Sequence, residues 1–313
     1  MAYSVGTVSA AELADQAANN PCFLGFNVLE LSSVTPEWST SGAWSTSTDS
    51  VNTDYPTSNL TNRVFDDDSR PTGTASTWYL LFQLDDTDPR NVIDTALLQH
   101  SIGDCISAGT VTVVITIAND ADFTDDVVHI VPSPDWQLSA GATGNRRRRS
   151  TNFDGGSARY TGVRYVRVSF TGSGTGNWIP QISELWLGRR RQLHRGPNEP
   201  HDPSPIVSST VDSRDETGGT SRYVLGEQQI QFEGSFDLTP DEDDLSTFSS
   251  LKTDTRGFTR PFAYWLGGDD IWVFVWLLAD PRYSRPYRSA AHRTYSISAF
   301  EQTPFLYPEI DAT

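Results

Sequence analysis

The sharpest change of pattern along the chain falls within 182–205. Ile182-Ser183-Glu184-Leu185-Trp186-Leu187 alternates apolar and polar positions up to Gly188, the mark of a half-buried strand that closes a sheet. Beyond it, Pro197, Pro200, Pro203 and Pro205 lie among charged residues with almost no apolar side chain. Neither a helix nor a strand interior forms on such text. The pattern predicts an extended linker over 191–205, between a β domain at 21–190 and a second at 206–313, with an N-terminal arm over 1–20.

In the first domain, bulky residues spaced through Ser/Thr-rich sequence (Phe23, Phe26, Val28, Leu31, Trp38, Trp44) read as short strands and loops. Four clear strands follow, at Trp78–Leu84, Val92–Gln99, Gly109–Ala118 and Tyr165–Thr171, with the turn Asp85-Asp86-Thr87-Asp88-Pro89 between the first two. Short strands with no helix between them predict a β-sandwich. Residues 9–19 read either as a short helix or as a mobile arm.

The second domain opens with long strand material at Arg222–Leu238. Thr239-Pro240 followed by Asp241–Asp244 then predicts a helix start: Thr239 as cap, Pro240 at the first position, acids against the positive end of the dipole. Leu245, Phe248 and Leu251 give that helix one apolar face. Thr259–Leu266 and Ile271–Leu278 read as a hairpin, and Thr294–Phe300 as a final strand. The fold class is all-β with one packed helix.

The 313 residues carry a formal charge of −17, with 12 Arg against 21 Asp and Glu in residues 1–190 and 11 basic against 19 acidic in the remainder. Neither half is a nucleic-acid reader, because neutralising phosphates requires a dense Lys/Arg face. Cys22 and Cys105 predict buried thiols rather than a disulfide framework. The first residues carry no basic, then apolar, leader pattern. The longest apolar run, Ile271–Ala279, is about half of what spans a bilayer. A cytoplasmic site of synthesis is expected.

No nucleophile motif, phosphate-binding loop or metal-ligand spacing occurs, so neither catalysis, a metal nor a cofactor is expected. Two kinds of candidate contact remain. The strand at 271–278 is apolar at successive positions and is expected to be buried twice, against its own core and a neighbouring subunit, through Ile271, Val273, Phe274 and Trp276. The loop run Arg146-Arg147-Arg148-Arg149 suits either solvent or an acidic patch on a neighbour. Trp136 and Trp178, in polar loop sequence, are the candidates for stacking against a sugar face.

The segments Asp54-Tyr55-Pro56-Thr57-Ser58-Asn59-Leu60, Ser76–Leu84, Leu97–Asp104, Ile117–Phe123 and the closing Arg164–Gly188 occur in an order that resembles the discoidin-like, jelly-roll half of tail proteins from tailed bacteriophages. Residues 206–307 are similar to the tube-like β-barrel domain of such proteins, with Pro261–Leu266, Ile271–Phe274 and Ser296–Phe305 as the matching phrases. The resemblance implies a structural virion protein, a distal-tail or minor-tail subunit. It implies a trimeric or hexameric ring at the tube-to-tip junction, assembled in the host cytoplasm and carried in the virion tail. Its implied partners are the tail tube protein and hub or baseplate proteins, with genomic DNA as passing cargo. A host surface glycan on the first domain is the alternative role that the resemblance suggests.

Overall fold

The computed structural model describes residues 2–18, 20–47, 50, 52–63, 68–125, 127–130, 137–140, 149–152, 158–196, 204–207, 210–214, 220–224, 228–238, 244–265, 272–277, 282–284 and 293–301. The chain divides into two compact units. The first comprises Met1–Ala14 and Phe26–Arg190 with the short piece Asp270–Trp272; the second comprises Asp15–Gly25, Arg191–Asp269 and Val273–Thr313.

The first unit is a sandwich of antiparallel sheets. Its largest sheet runs, in spatial order, Glu37–Ser39, Thr77–Gln83, Tyr165–Ser173, Thr110–Ala118 and Val128–Ile130, with Gln137–Ser139 also paired to Thr110–Ala118. Strand alternation puts every second side chain on the inner face. Val168 stands opposite Leu80 on one neighbour and Ile115 on the other, and all three are completely buried. With Trp78, Phe82, Val113, Val166 and Phe170 they form one cluster with Ala96, Leu98, Leu185 and Leu187 of the sheet Arg149–Asn152, Thr95–His100, Ile182–Gly188. Ile93 and Tyr160, from the sheet Ser4–Thr7, Ala158–Thr161, Val92–Ile93, join the same core. Full burial of such side chains contributes roughly 1.5–3 kcal/mol each.

Two expectations for this unit need correction. The strand expected across Val92–Gln99 is two strands, Val92–Ile93 and Thr95–His100, lying in different sheets. Asp94 is the break: its buried carboxylate accepts from Arg190 N (2.7 Å) and Arg159 Nε (2.9 Å), so the chain changes sheets where an ion pair holds it. The strand Ile182–Gly188, expected to be half-buried, is buried at all seven positions. Its second face is covered as well: Trp186 lies under the Arg63 guanidinium, 4.8 Å from the ring centroid, and Asn27 bonds the backbone at Leu185 O (2.7 Å) and Leu187 N (3.1 Å).

The stretch 9–19 contains a helix, Ala10–Ala17. Ser9 Oγ accepts from Glu12 N (3.1 Å) and Glu12 Oε2 accepts from Ser9 N (3.0 Å), a reciprocal capping box spelled Ser9-Ala10-Ala11-Glu12. The other Glu12 oxygen takes Arg159 at 3.0 Å, which ties the helix to the sandwich.

The second unit is built on one eight-stranded sheet, in the order Arg191–Gln192, Cys22–Leu24, Phe262–Trp265, Trp272–Leu277, Arg293–Glu301, Gln228–Leu238 and Ser204–Val207, with Arg282–Ser284 branching onto Arg293–Glu301. The sheet is open rather than a closed barrel among the described residues. The helix Asp244–Asp254 supplies Phe248 and Leu251 to its core, as the apolar spacing predicts, while the proposed cap at Thr239–Asp243 lies outside the described residues. Phe23 centres that core, stacked on Tyr264 at 5.0 Å and packed on Phe248 at 5.5 Å.

That position of Phe23 changes the expected boundaries. Residues 15–25 belong to the second unit rather than to an arm and the first domain, because Cys22–Leu24 is one of its strands. The start of the expected linker is ordered too: Arg191 and Gln192 pair with Phe23 and Cys22, and Leu193 is completely buried, its N–H on Pro21 O at 3.0 Å. At its other end Ser204 and Pro205 begin a strand, and residues 197–203 lie outside the described residues. Both flanks of the proline-rich stretch are captured by backbone pairing.

Candidate functional site

In the first unit Tyr55 carries an exposed aromatic side chain, 37% accessible. Its turn is set by Asn52, whose Oδ1 accepts from both Asp54 N (3.1 Å) and Tyr55 N (3.3 Å). Pro56 then leads into the short 3-10 helix Thr57–Thr61, which is pinned by the fully buried Leu60 and by Thr57 Oγ1 donating to Pro36 O at 2.8 Å. The ring is thus carried outward on a turn whose base is fixed in the core.

The segment 68–72 lies beside that turn. Asn59 Nδ2 donates to Asp68 O (2.9 Å) and Arg70 N to Tyr55 O (3.2 Å). Between them Ser69 is completely buried, bridged to Ile182 through both backbone groups and accepting Trp38 Nε1 at 2.9 Å. With Ser69 inward, its neighbours Asp68 and Arg70 take the opposite face of the extended segment. The Arg70 guanidinium covers Tyr55 at 4.1 Å from the ring centroid, and its terminal nitrogen pairs with Asp68 Oδ2 at 2.7 Å. Asp68 Oδ1 accepts from Ser183 Oγ at 2.9 Å. The result is a surface platform of ring and guanidinium, held from beneath by two hydrogen-bonded carboxylate oxygens. Such a surface offers an apolar face for stacking and N–H donors for hydroxyls.

Nearby, Cys105 is half-buried and donates its thiol to Ser101 O at 3.1 Å. Burial, with Asp104 adding to it, pushes that thiol up to about 11, so it is a poor nucleophile at neutral pH. The most perturbed carboxyl, Glu184, is sealed inside: burial drives its affinity for a proton well above the ordinary value, against the opposing pull of the Arg63 N–H and Trp186 Nε1 at 3.0 Å. A carboxyl so enclosed has no path to a substrate. Among the described residues no group of three or more His, Cys, Asp and Glu side chains could hold a metal ion. No helix there is long and apolar enough to cross a membrane.

Of the stacking candidates, Trp178 is corrected. It is 3% exposed within the sandwich core, its Nε1 donates to Ser76 O (3.3 Å), and its backbone pairs with Ala75. Neither ring face is open to a sugar. Trp136, Arg146, Arg147, Arg148 and Ile271 lie outside the described residues. Arg149 opens a strand opposite Leu98 rather than sitting in a loop. Val273, Phe274 and Trp276 lie on Trp272–Leu277, a strand with in-sheet neighbours on both sides. Its backbone edges are occupied, so pairing between subunits would use the outer strands.

Tyr55 and Arg70 were missed as site residues by pattern reading. The available signal was an aromatic placed in a turn of Asn, Thr, Asp, Pro and Ser, outside any alternating or helical period, where no core position calls for it.

The fold is that of a two-unit, mostly β chain whose sandwich presents an aromatic platform at Tyr55. No protein-family model matches the chain, and no curated protein does. Among solved structures it is similar to chitosan-binding module 1 of a chitosanase/glucanase from Paenibacillus sp. IK-5 (14% identity, 52% of this chain and 99% of that one, TM-score 0.34). It is also similar to the module CBM32-1 of a family 31 glycoside hydrolase from Clostridium perfringens (9% identity, 51% and 99%, TM-score 0.30). A GH29 fucosidase from Ruminococcus gnavus, solved with fucose, matches over 44% of this chain and 22% of its own (10% identity, TM-score 0.30).

Proposed function

We propose that the first unit is a carbohydrate-binding module and that the chain serves host attachment as a subunit of a phage tail. The observation that carries the binding role is the Tyr55–Arg70 platform: an exposed ring, fixed by a guanidinium that is itself fixed by Asp68. Trp38, Trp78, Trp178 and Trp186 are buried, whereas Tyr55 carries an exposed ring on which a pyranose face can stack. The reading is one of binding without turnover: of the two groups with raised proton affinity, Glu184 is sealed inside and Cys105 keeps its proton at neutral pH. The assignment to a tail rests on the sequence resemblance. Calorimetric titration of the full chain with neutral oligosaccharides tests the reading. Binding is expected, and Tyr55→Ala should weaken it by roughly tenfold, about the worth of one aromatic contact. Equal affinity in the variant, or no saccharide bound at millimolar concentration, would refute it.

A second reading is an assembly role, as a ring-forming distal-tail or minor-tail subunit between tail tube and hub or baseplate proteins. The open sheet of the second unit favours it: among the described residues Arg191–Gln192 and Ser204–Val207 end the sheet order and leave strand edges for a second copy. The net charge of −17 suits a wall that DNA slides past. Light scattering after size exclusion should give a trimer or hexamer; a monomer at every concentration would end this reading.

A further inference from the structure

The large sheet of the first unit has a second populated face. Leu81, Ala118, Phe123 and Tyr165 form a small buried cluster there, with Trp44, Tyr79, Ala121 and Val127 partly buried against it. Arg167 lies on the same strand as Tyr165, two residues on, paired across with Leu81 on one side and Thr116 on the other. Its guanidinium sits 4.5 Å from the Phe123 ring centroid and 5.8 Å from that of Tyr79, and NH1 donates to Gly42 O at 2.7 Å. Gly42 is needed for this fit, because a Cβ there would stand 2.9 Å from that nitrogen and 3.3 Å from the Tyr79 ring.

Arg167 differs in charge balance from the ion-paired arginines. Arg63, Arg70, Arg90, Arg159 and Arg191 each pair with a carboxylate. Arg167 has no carboxylate partner among the described residues. Its Nε is sealed from solvent without an acceptor, as are those of Arg70 and Arg191, so an outside anion would meet the terminal nitrogens, and burial lowers its basicity with only the Tyr79 hydroxyl opposing that effect. Trp44 Nε1 in the same cluster also lacks an acceptor. Half-burying a cation without a counter-charge is costly, and an anion supplied from outside removes that cost. Beside Arg167 the face continues through Ser169, Val114 and Thr112, all partly exposed, a flat strip of hydroxyl and small apolar groups bordered by the Tyr79 ring.

We propose that this outer face is a second binding site, separate in its residues from the Tyr55 platform, for an acidic saccharide whose uronate carboxylate is taken by the Arg167 guanidinium. A ring-bordered, hydroxyl-bearing strip suits a pyranose chain, and a guanidinium with no carboxylate partner among the described residues selects the member that carries one. The proposal stands whether or not Tyr55 binds a neutral sugar.

The test is calorimetric titration of the full chain with a galacturonate tetramer, its methyl ester, a neutral galactose tetramer and a glutamate tetrapeptide. The acid should bind, and esterification, which leaves the protein untouched, should weaken binding by roughly tenfold or more, as expected for loss of a charge-assisted pair. Arg167→Gln should reproduce that loss, Arg167→Lys should lose less, and Tyr55→Ala should leave acid binding unchanged. The proposal is overturned if the ester binds as well as the acid, if the acid does not bind the native chain, or if the glutamate peptide binds equally. Loss of acid binding in Tyr55→Ala would overturn it as well, by assigning the ligand to the other platform.

Discussion

Replacing Glu184 with glutamine separates a buried ionisation from a buried hydrogen bond. Glu184 is 1% exposed, with Oε2 on Trp186 Nε1 and Oε1 without a partner. Burial raises its folded-state affinity for a proton well above that of the unfolded chain, so the folded protein keeps this proton at pH values where the unfolded chain has released it. The stability from this group is therefore complete below the unfolded carboxyl pKa of about 4.3 and is lost as pH rises towards the folded value. Within that window the slope is about −1.4 kcal/mol per pH unit, one proton more being bound in the folded state. Glutamine keeps an acceptor for Trp186 and has no proton to lose, so Glu184→Gln should gain on the native chain as pH rises from the unfolded carboxyl value towards the folded one, by at most about 1.4 kcal/mol for each pH unit. For a unit of this size that is roughly 3–5 °C in Tm. Urea unfolding followed by tryptophan fluorescence at pH 5.0, 5.5, 6.0 and 6.5 measures it. Parallel stability curves for the two proteins would refute the account, since they would mean Glu184 ionises alike in both states.

Three further substitutions probe the frame of the first unit. Asp94→Ala removes the buried carboxylate on which Arg159 and Arg190 N converge, and should cost about 3 kcal/mol in urea unfolding; a loss below 1 kcal/mol would mean that the strand switch does not depend on it. Gly109→Ala places a Cβ 2.2 Å from Ser173 O at a φ of +80°, and should lower thermal stability by about 3 kcal/mol or more, with an unchanged melting curve as the contrary result. Ser9→Ala removes half of the capping box and should cost the Ala10–Ala17 helix about 1 kcal/mol, read as faster amide exchange at Glu12 and Leu13; unaltered exchange would assign the cap no role.

Much of the strand pattern was legible because inward and outward positions alternate. Thr110–Ala118 and Tyr165–Ser173 form within a residue or two of where β-branched and apolar alternation puts them, and Trp78 falls in the core as its place at a strand start implies. What sequence hid was long-range capture. Cys22–Leu24 reads as the start of the first domain, yet it is held by pairing with residues more than 160 positions away. Ile182–Gly188 alternates as a half-exposed strand, yet Arg63 and Asn27 from distant loops cover its second face. The site was hidden for the same reason. Trp178 lies in a glycine-rich loop, and only the fold shows that loop turned inward by its pairing with Ala75. Tyr55 gains meaning only when Arg70 and Asp68 are brought beside it, and the turn chemistry that aims it was readable while its neighbours were not.

The two proposed roles bear on one another through magnitude. One tyrosine with about a third of its surface open offers little area, so a single platform should hold a sugar weakly even though its groups are fixed beforehand and little ordering is lost on binding. Attachment to a surface would then require several platforms at once, and the proposed ring would supply them: linked weak sites exceed either affinity by a factor of roughly 100 or more when the spacing allows simultaneous contact. Binding to a glycan-coated surface should therefore collapse on dilution below the concentration at which the ring forms, while titration with a free oligosaccharide should not change across that concentration. Retention on the coated surface at full strength by the dissociated chain would separate the two roles and leave the platform sufficient by itself.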